Sequence, residues 1–285
     1  GRAYASLDEL IDDVDVVDIC TPTHLHYEMV LKAAAAGKHV VCEKPLARTI
    51  AQAEEMIAAC ERAGVKLLVA HVVRYFPQYA QAKALVERGE IGKVAVVRLT
   101  RASFRPRRAL DNWFLDGEKS GGMLLDLMLH DFDYARWIAG EVETVFAKSV
   151  SAARPDAPGD YALAILRHRG GAISNLESAW AYPPPLFRTS LQIAGSHGLI
   201  DHPADSAVPV KVHLMADAAE TPDIAVPASP LTDTPYTTEI KEFYQALVHD
   251  VPPRVTAHDG LMALRLAFAA IESARTGRPV SPQEV

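Results

Sequence analysis

A lysine, two carboxylates and an imidazole are placed in this sequence so that proton transfer is the chemistry they suggest. Glu43-Lys44-Pro45 closes an apolar run, His39-Val40-Val41-Cys42, and Thr21-Pro22-Thr23-His24-Leu25-His26 closes another, Val14 to Cys20. Parallel α/β sheets bind ligands in the crevice beyond the carboxyl ends of their strands. The two clusters are therefore expected to face one cleft. A lysine held there among other groups can serve in acid–base chemistry. Far downstream, Gly121-Gly122 opens a helical stretch that carries Asp126, His130 and Asp133. Asp126 and His130 are four positions apart, so they share a helix face, and Asp133 continues it. Leu124, Leu125, Leu127, Met128, Leu129 and Phe132 cover the rest of it. A carboxylate beside a buried histidine orients the ring and stabilises its charged form, which suits a proton relay. A satisfied core pair, and for Lys44 a surface lysine after a strand, are the plainer readings.

The surrounding elements account for that placement. Val14–Cys20, Val40–Cys42 and Val65–Ala70 read as short buried strands, separated by helical patterns over His24–Ala36 and Thr49–Ala63. Alternating strands and helices imply parallel pairing through right-handed crossovers. After Pro77 the character changes. A helix is expected over Tyr79–Arg88, then strands of antiparallel character at Val94–Arg101, Val142–Ser149, Tyr161–Arg167, Ala172–Trp180 and Arg188–Ala194. Arg169-Gly170-Gly171 and Gly195-Ser196-His197-Gly198 supply turns. A helix over Gly121–Ala139 interrupts the strands, and helices over Thr237–His249 and Asp259–Arg275 finish the chain. Pro183-Pro184-Pro185 and Ala216–Pro235 read as loops. The expected fold is α/β plus α+β. A partial Rossmann-type parallel sheet (1–73) is followed by a domain with a large, mainly antiparallel sheet (74–285), whose last helix packs back on the first.

At 285 residues the chain can form two packed domains, and its net charge of −7 argues against nucleic acid or acidic membranes as partners. No apolar run nears the ~20 residues that span a bilayer, and no signal peptide opens the sequence. Cys20, Cys42 and Cys60 show no zinc or redox spacing, so a reducing, cytoplasmic setting is expected. The basic stretch Arg98–Arg108, with Arg101, Arg105 and Arg107, reads as a solvated strand and loop, with anion contact as the alternative. His24 and His26 match no metal pattern, and no metal is expected. Arg74 could meet a phosphate or substrate. Trp113 and Tyr236, ahead of helices, could stack on a sugar ring or pack an interface.

In order, these segments resemble the glucose–fructose oxidoreductase/inositol dehydrogenase (Gfo/Idh/MocA) family. Val14–His26 resembles its third Rossmann strand and nicotinamide-side loop, and Gly37–Pro45 its strand and EKP motif. Gly121 to Asp133 resembles its catalytic helix, and Tyr236 through Glu242-Phe243 to Val280 its closing stretch. The resemblance implies a dehydrogenase or reductase using NAD or NADP on a sugar, polyol or cyclitol. His130 would be the general acid/base, Lys44 would bind the reacting oxygen, and Asp126 a substrate hydroxyl. Thr21, Pro22, His24, His26, Glu43, Lys44 and Arg74 would line the cofactor; Trp113 and Tyr236 would meet substrate. A homodimer or homotetramer through the large sheet is implied. The sequence departs from the family in lacking a Gly-x-Gly-x-x-Gly turn. A preceding segment of roughly 50 residues is therefore expected. A non-catalytic sugar- or dinucleotide-sensing protein on the same scaffold, or a metal hydrolase, are the alternatives. Val69–Pro77 also lacks the asparagine-arginine pairing expected of many members.

Overall fold

The computed structural model describes residues 1–106, 113–151, 160–202 and 234–285. The expectations for Arg107, Arg108 and nearly all of Ala216–Pro235 fall outside them. After a short helix α1 (Leu7–Leu10), the β-branched run forms β1 (Val16–Ile19), and the two later runs form β2 (His39–Glu43) and β3 (Leu67–Ala70). All three pair in parallel, in the order β1-β2-β3, with Ile19 opposite Cys42 and Glu43 opposite Ala70. Helices α2 (His26–Ala35) and α3 (Ile50–Ala63) make the crossovers. Thr49 caps α3 by accepting from the Gln52 N–H at 3.1 Å.

The second sheet has six strands: β4 (Val94–Ser103), β5 (Val142–Val150), β6 (Tyr161–His168), β7 (Ile173–Ala179), β8 (Phe187–Gly195) and β9 (Leu199–His202). Their order is β5-β6-β7-β4-β8-β9, antiparallel throughout except for the parallel pair β4–β7. The four-residue β9 was not expected; it is the far arm of the Gly195–Gly198 turn. Period-two alternation sends Ala162, Ala164 and Leu166 of β6 into the core and leaves Leu163 and Ile165 about half exposed on the other face.

Helix α4 (Pro77–Glu87) leads into this sheet, and α8 (Pro235–His249) and α9 (Ala257–Thr276) close the chain. The helix expected over Gly121–Ala139 is instead broken. The chain forms α5 (Gly117–Ser120), α6 (Gly122–Asp126) and α7 (Leu129–Ala139). The Met123 carbonyl accepts from both Leu127 N–H (2.9 Å) and Met128 N–H (3.0 Å), which ends one helix and lets the chain turn before the next. Gly121 makes the turn into α6 at φ +81°. A Cβ there would lie 2.2 Å from Leu125 Cδ2 and 2.6 Å from Arg48 Nη1.

Both sheets share one apolar core, running from Val17, Ile19 and Val40 through Leu125, Met128 and Phe132 to Leu166 and Ile193. Helix α9 stitches it. Gly260 packs on Val69 of β3, and Ser273 Oγ accepts from the Ala147 N–H of β5 at 2.9 Å. On the opposite face of the first sheet, Phe243 and Ala246 of α8 cover Val41, Leu68 and Ala70.

A buried ionic knot holds the junction. Arg74, 1% exposed, donates through Nε and Nη2 to the two Asp133 oxygens at 2.8 and 2.6 Å and through Nη1 to the Arg254 carbonyl at 2.9 Å. Asp259 of α9 lies 3.3 Å from Arg74 Nη2 and also accepts from Arg136 at 2.8 Å. Removing one partner of such a pair strands a buried charge. Arg74→Met is therefore expected to cost about 3–5 kcal/mol of folding stability, read as a shift in the urea midpoint. A midpoint equal to wild type would show that the knot is not a main support.

Candidate active site

Lys44 stands one residue beyond β2, and its Nζ reaches the end of α6, donating to the Asp126 carbonyl at 2.8 Å and to Asp126 Oδ1 at 3.1 Å. Both side chains are mostly buried, at 17% and 10% exposure. The Lys44–Pro45 peptide is cis. His26 braces this turn from α2: its ring nitrogens lie 2.9 Å from the Pro45 and Thr21 carbonyls. The ends of β1 and β2 are thereby tied together.

Two spaces meet at Lys44. A cleft of about 240 Å³ opens at the carboxyl ends of β1 and β2, lined by Cys20, Thr21, Pro22, Thr23, Glu43, Trp113 and Phe114 together with Lys44 and Asp126. A cavity of about 290 Å³ lies toward the large sheet. Lys44, Asp126, Phe114, His130, Arg101, Ser103, Trp180 and Tyr236 are among its lining residues. Lys44, Phe114 and Asp126 belong to both spaces.

Of the residues singled out in the sequence, Thr21, Pro22, Glu43, Lys44, Trp113 and Asp126 line the cleft, and Lys44, Asp126, His130 and Tyr236 line the cavity. His24, His26 and Arg74 line neither. His26 and Arg74 have structural duties instead, as the turn brace and the ionic knot. Tyr236 is not in a loop but in the first turn of α8, edge-on to Phe76 at 6.5 Å. Trp113 stacks on Phe114 at 4.0 Å.

Arg101 was passed over as part of a solvated basic stretch. It is 4% exposed, holds both Asp131 oxygens at 3.0 Å through Nε and Nη2, and forms part of the cavity wall. The signal was present: the alternation Val97, Leu99, Arg101 puts all three on the inner face of β4. Phe76, Trp180 and Phe187, also on the wall, carried no motif that marked them.

The electrostatics of His130 differ from the expectation. The break after Asp126 turns that carboxylate to Lys44, and His130 Nδ1 is buried without a protein hydrogen-bond partner. Burial, then the cations Lys44 and Arg101, and then His71 push the His130 pKa well below the ordinary imidazole value. The ring is a neutral base, not a carboxylate-stabilised cation. Burial raises the Glu43 carboxyl, opposed by Lys44. Glu239, buried behind it on α8, is pushed up to about 9 by burial and then by Glu43.

Residues 1–71 match the profile described as "Oxidoreductase family, NAD-binding Rossmann fold", and residues 79–201 match the GFO/IDH/MocA C-terminal domain. The chain is 34% identical to the myo-inositol 2-dehydrogenase of Thermotoga maritima, aligning over 100% of its own length and 85% of that protein's. The chain belongs to the Gfo/Idh/MocA oxidoreductase family.

Other similarities agree. The chain is 29% identical to the 1,5-anhydro-D-fructose reductase of Ensifer adhaerens, covering 98% of this chain and 83% of that protein. A probable dehydrogenase from Thermotoga maritima superposes with a TM-score of 0.81 at 34% identity, over 99% of this chain and 85% of that one. Levoglucosan dehydrogenase in complex with NADH and levoglucosan superposes with a TM-score of 0.81 at 27% identity, over 98% and 83%. This family member thus combines a Rossmann-like parallel sheet with a larger, mostly antiparallel one.

The buried rings also set a pH dependence. Burial lowers the pKa of both His71 and His130 from 6.5. Below pH 6.5 the unfolded chain therefore binds protons that the folded chain refuses, and stability falls with acidification. Measured against His71→Leu, the wild-type thermal midpoint is expected to lose ground as the pH falls below about 6.5; the buried carboxyls raised in the folded chain, Glu239 to about 9 among them, act in the opposite sense but equally in both proteins. A wild-type midpoint that gains on His71→Leu between pH 7 and pH 5.5 would contradict the neutral assignment.

Proposed function

We propose that this protein oxidises or reduces a secondary carbinol or ketone carbon of a sugar, polyol or cyclitol with NAD or NADP. The supporting observation is the position of Lys44: one ammonium, held by Asp126, borders both the strand-end cleft and the cavity. In this reading residues 1–73 hold the dinucleotide and 74–285 supply most of the substrate site. The cleft suits the nicotinamide end of a dinucleotide. It lies beyond parallel strand ends, has small polar walls at Thr21 and Thr23, and carries the stacked Trp113–Phe114 pair on one side. Thr21, Pro22, Glu43 and Lys44 would hold the cofactor there. When bound, the nicotinamide supplies or takes the hydride.

The protein's own residues manage the proton. Lys44 donates a hydrogen bond to the reacting oxygen and stabilises alkoxide charge as it develops. Neutral His130 accepts the hydroxyl proton in oxidation and returns it in reduction. Asp126 fixes Lys44 and offers its other oxygen to a neighbouring hydroxyl. Tyr236 and Trp180 give the cavity flat apolar walls against which a sugar ring packs. Arg101, already occupied by Asp131, shapes that wall rather than taking part in the proton transfer.

Two further parts of this reading follow from the outer face of the large sheet and from the cysteines. The outer face of the large sheet exposes Leu163, Ile165 and Ile173 at 46%, 47% and 49%. This apolar face suits pairing with a second copy, giving a homodimer or a homotetramer. The unpaired thiols Cys20, Cys42 and Cys60 suit a cytoplasmic, reducing compartment.

The test is an assay of the purified full-length protein with NAD and NADP against myo-inositol, levoglucosan and related polyols, following reduced nicotinamide. Turnover with at least one pair is expected; the absence of both turnover and dinucleotide binding would end the reading. Lys44→Ala and His130→Ala are each expected to lower kcat ~100-fold or more with the circular dichroism spectrum retained; Lys44→Ala is also expected to lower the thermal midpoint, because it leaves the Asp126 carboxylate unpaired. Near-normal kcat in both would remove these residues from the chemistry. Ile165→Asp is expected to shift the mass measured by light scattering toward the monomer; an unchanged mass would place the interface elsewhere.

A further inference from the structure

Behind the site lies a buried histidine that the proton transfer above does not use. His71 follows β3, is 0% exposed, and neither of its ring nitrogens has a protein hydrogen-bond partner. Its Nδ1 lies 3.8 Å from Asp133 Oδ2. Asp133 is three positions after His130 on α7, so the two share a face of that helix, and His71 packs against it. His130 Nδ1 is likewise buried and unpartnered, which leaves Nε2 for the cavity that His130 lines. Three imidazole nitrogens in one interior region therefore call for partners, because buried polar groups are normally hydrogen-bonded.

We infer that His71 is the inner half of a two-histidine proton relay, linked to His130 Nδ1 through one bridging water and backed by Asp133. The inference rests on the dehydrogenase reading. It makes His71 a positioning residue, since it acts through His130 and does not touch substrate. In oxidation the substrate O–H bond breaks as His130 Nε2–H forms. The His130 Nδ1–H bond breaks in turn, and the water accepts that proton while giving one of its own to His71. The imidazolium then sits on His71, beside the Asp133 carboxylate. After the product leaves, the proton returns by the same path and departs through His130; reduction runs the sequence backwards.

The relay answers a specific difficulty. A proton kept on His130 would face Lys44 and Arg101, both cationic. A proton on His71 faces Asp133 and Asp259, which favour it, against Arg74 and Lys44, which oppose it; burial keeps the resting ring neutral. The Arg74 clamp holds Asp133 in place through both oxygens.

Two measurements on the wild-type protein and two variants test this. The first is a proton inventory of kcat in mixtures of light and heavy water; the second is ¹⁵N NMR of the labelled histidines. The expected wild-type inventory is curved, with more than one proton in flight, and His130 carries its proton on Nδ1. His71→Leu and His71→Asn are each expected to lower kcat about 10- to 100-fold with KM unchanged, to make the inventory linear, and to shift the His130 Nδ1 resonance. A linear wild-type inventory, or wild-type kcat in His71→Leu, would overturn the relay. So would full activity in His71→Asn, which can hydrogen-bond but cannot carry the proton. If neither variant folds, the wild-type inventory decides. If the wild type turns over no sugar with either dinucleotide, the dehydrogenase reading has failed. The NMR then judges the link alone: a His130 resonance that ignores His71→Asn rejects it.

Discussion

The contact between Lys44 and Asp126 is the constraint around which the rest of the molecule is arranged. It joins residues 82 positions apart, one just past a parallel strand and the other at the end of a short helix. Neither group tolerates burial alone, because an unpaired charge in the interior is costly. Together they hold the end of β2 and the end of α6 at hydrogen-bond length. Asp126 contributes two acceptors, its backbone carbonyl and one carboxylate oxygen, and this bidentate grip restricts where the ammonium can point. The second carboxylate oxygen stays free of Lys44.

The supporting structure can be read outward from that contact. On the Lys44 side, parallel pairing of β1 and β2 aligns their ends, and His26 braces the Thr21 and Pro45 carbonyls. On the Asp126 side, Gly121 takes a backbone conformation that other residues resist, and the double acceptance by the Met123 carbonyl ends α6 at the right residue. Behind both, Arg74, Asp133 and Asp259 anchor the second turn of α7 and the first turn of α9. The knot thus supports the position of His130 without touching the cavity. Electrostatically the site is asymmetric: Asp131 and Asp133 are engaged by arginines, Asp126 by Lys44. The imidazole is left neutral among cations, suited to accepting a proton and poorly suited to keeping one.

Much of this was legible in the sequence because it depends on local pattern. The apolar runs ending at Cys20 and Cys42, the helical stripe capped by Thr49, and the Gly170-Gly171 turn each carry their cause within a few residues. The strand-end location of Glu43-Lys44 followed from the alternation of strands and helices. The break at Leu127-Met128 was not legible. Apolar residues continue through it at helical spacing, and a shift of one hydrogen bond from the fourth to the fifth residue leaves no trace in composition. Arg74 was misread for a different reason. Its partners Asp133 and Arg254 lie 59 and 180 positions away, and no local feature separates an arginine in a buried knot from one that awaits a phosphate. Arg101 lay between these cases: its neighbours' charges suggested a solvated face, whereas its alternation with Val97 and Leu99 pointed inward.

The account's central claim is that hydride and proton leave one substrate carbon and its oxygen at a single joint, the one Lys44 occupies. Single-turnover kinetics of the dinucleotide-loaded protein test it most directly. The substrate would be the polyol that supports turnover, deuterated at its carbinol carbon, in light and in heavy water. The account predicts that each isotope slows the appearance of reduced nicotinamide, and that Lys44→Met enlarges the carbon effect by making chemistry the slow step. A carbon isotope effect near unity in the variant as well as the wild type would contradict it. Chemistry would then not depend on the ammonium at that joint.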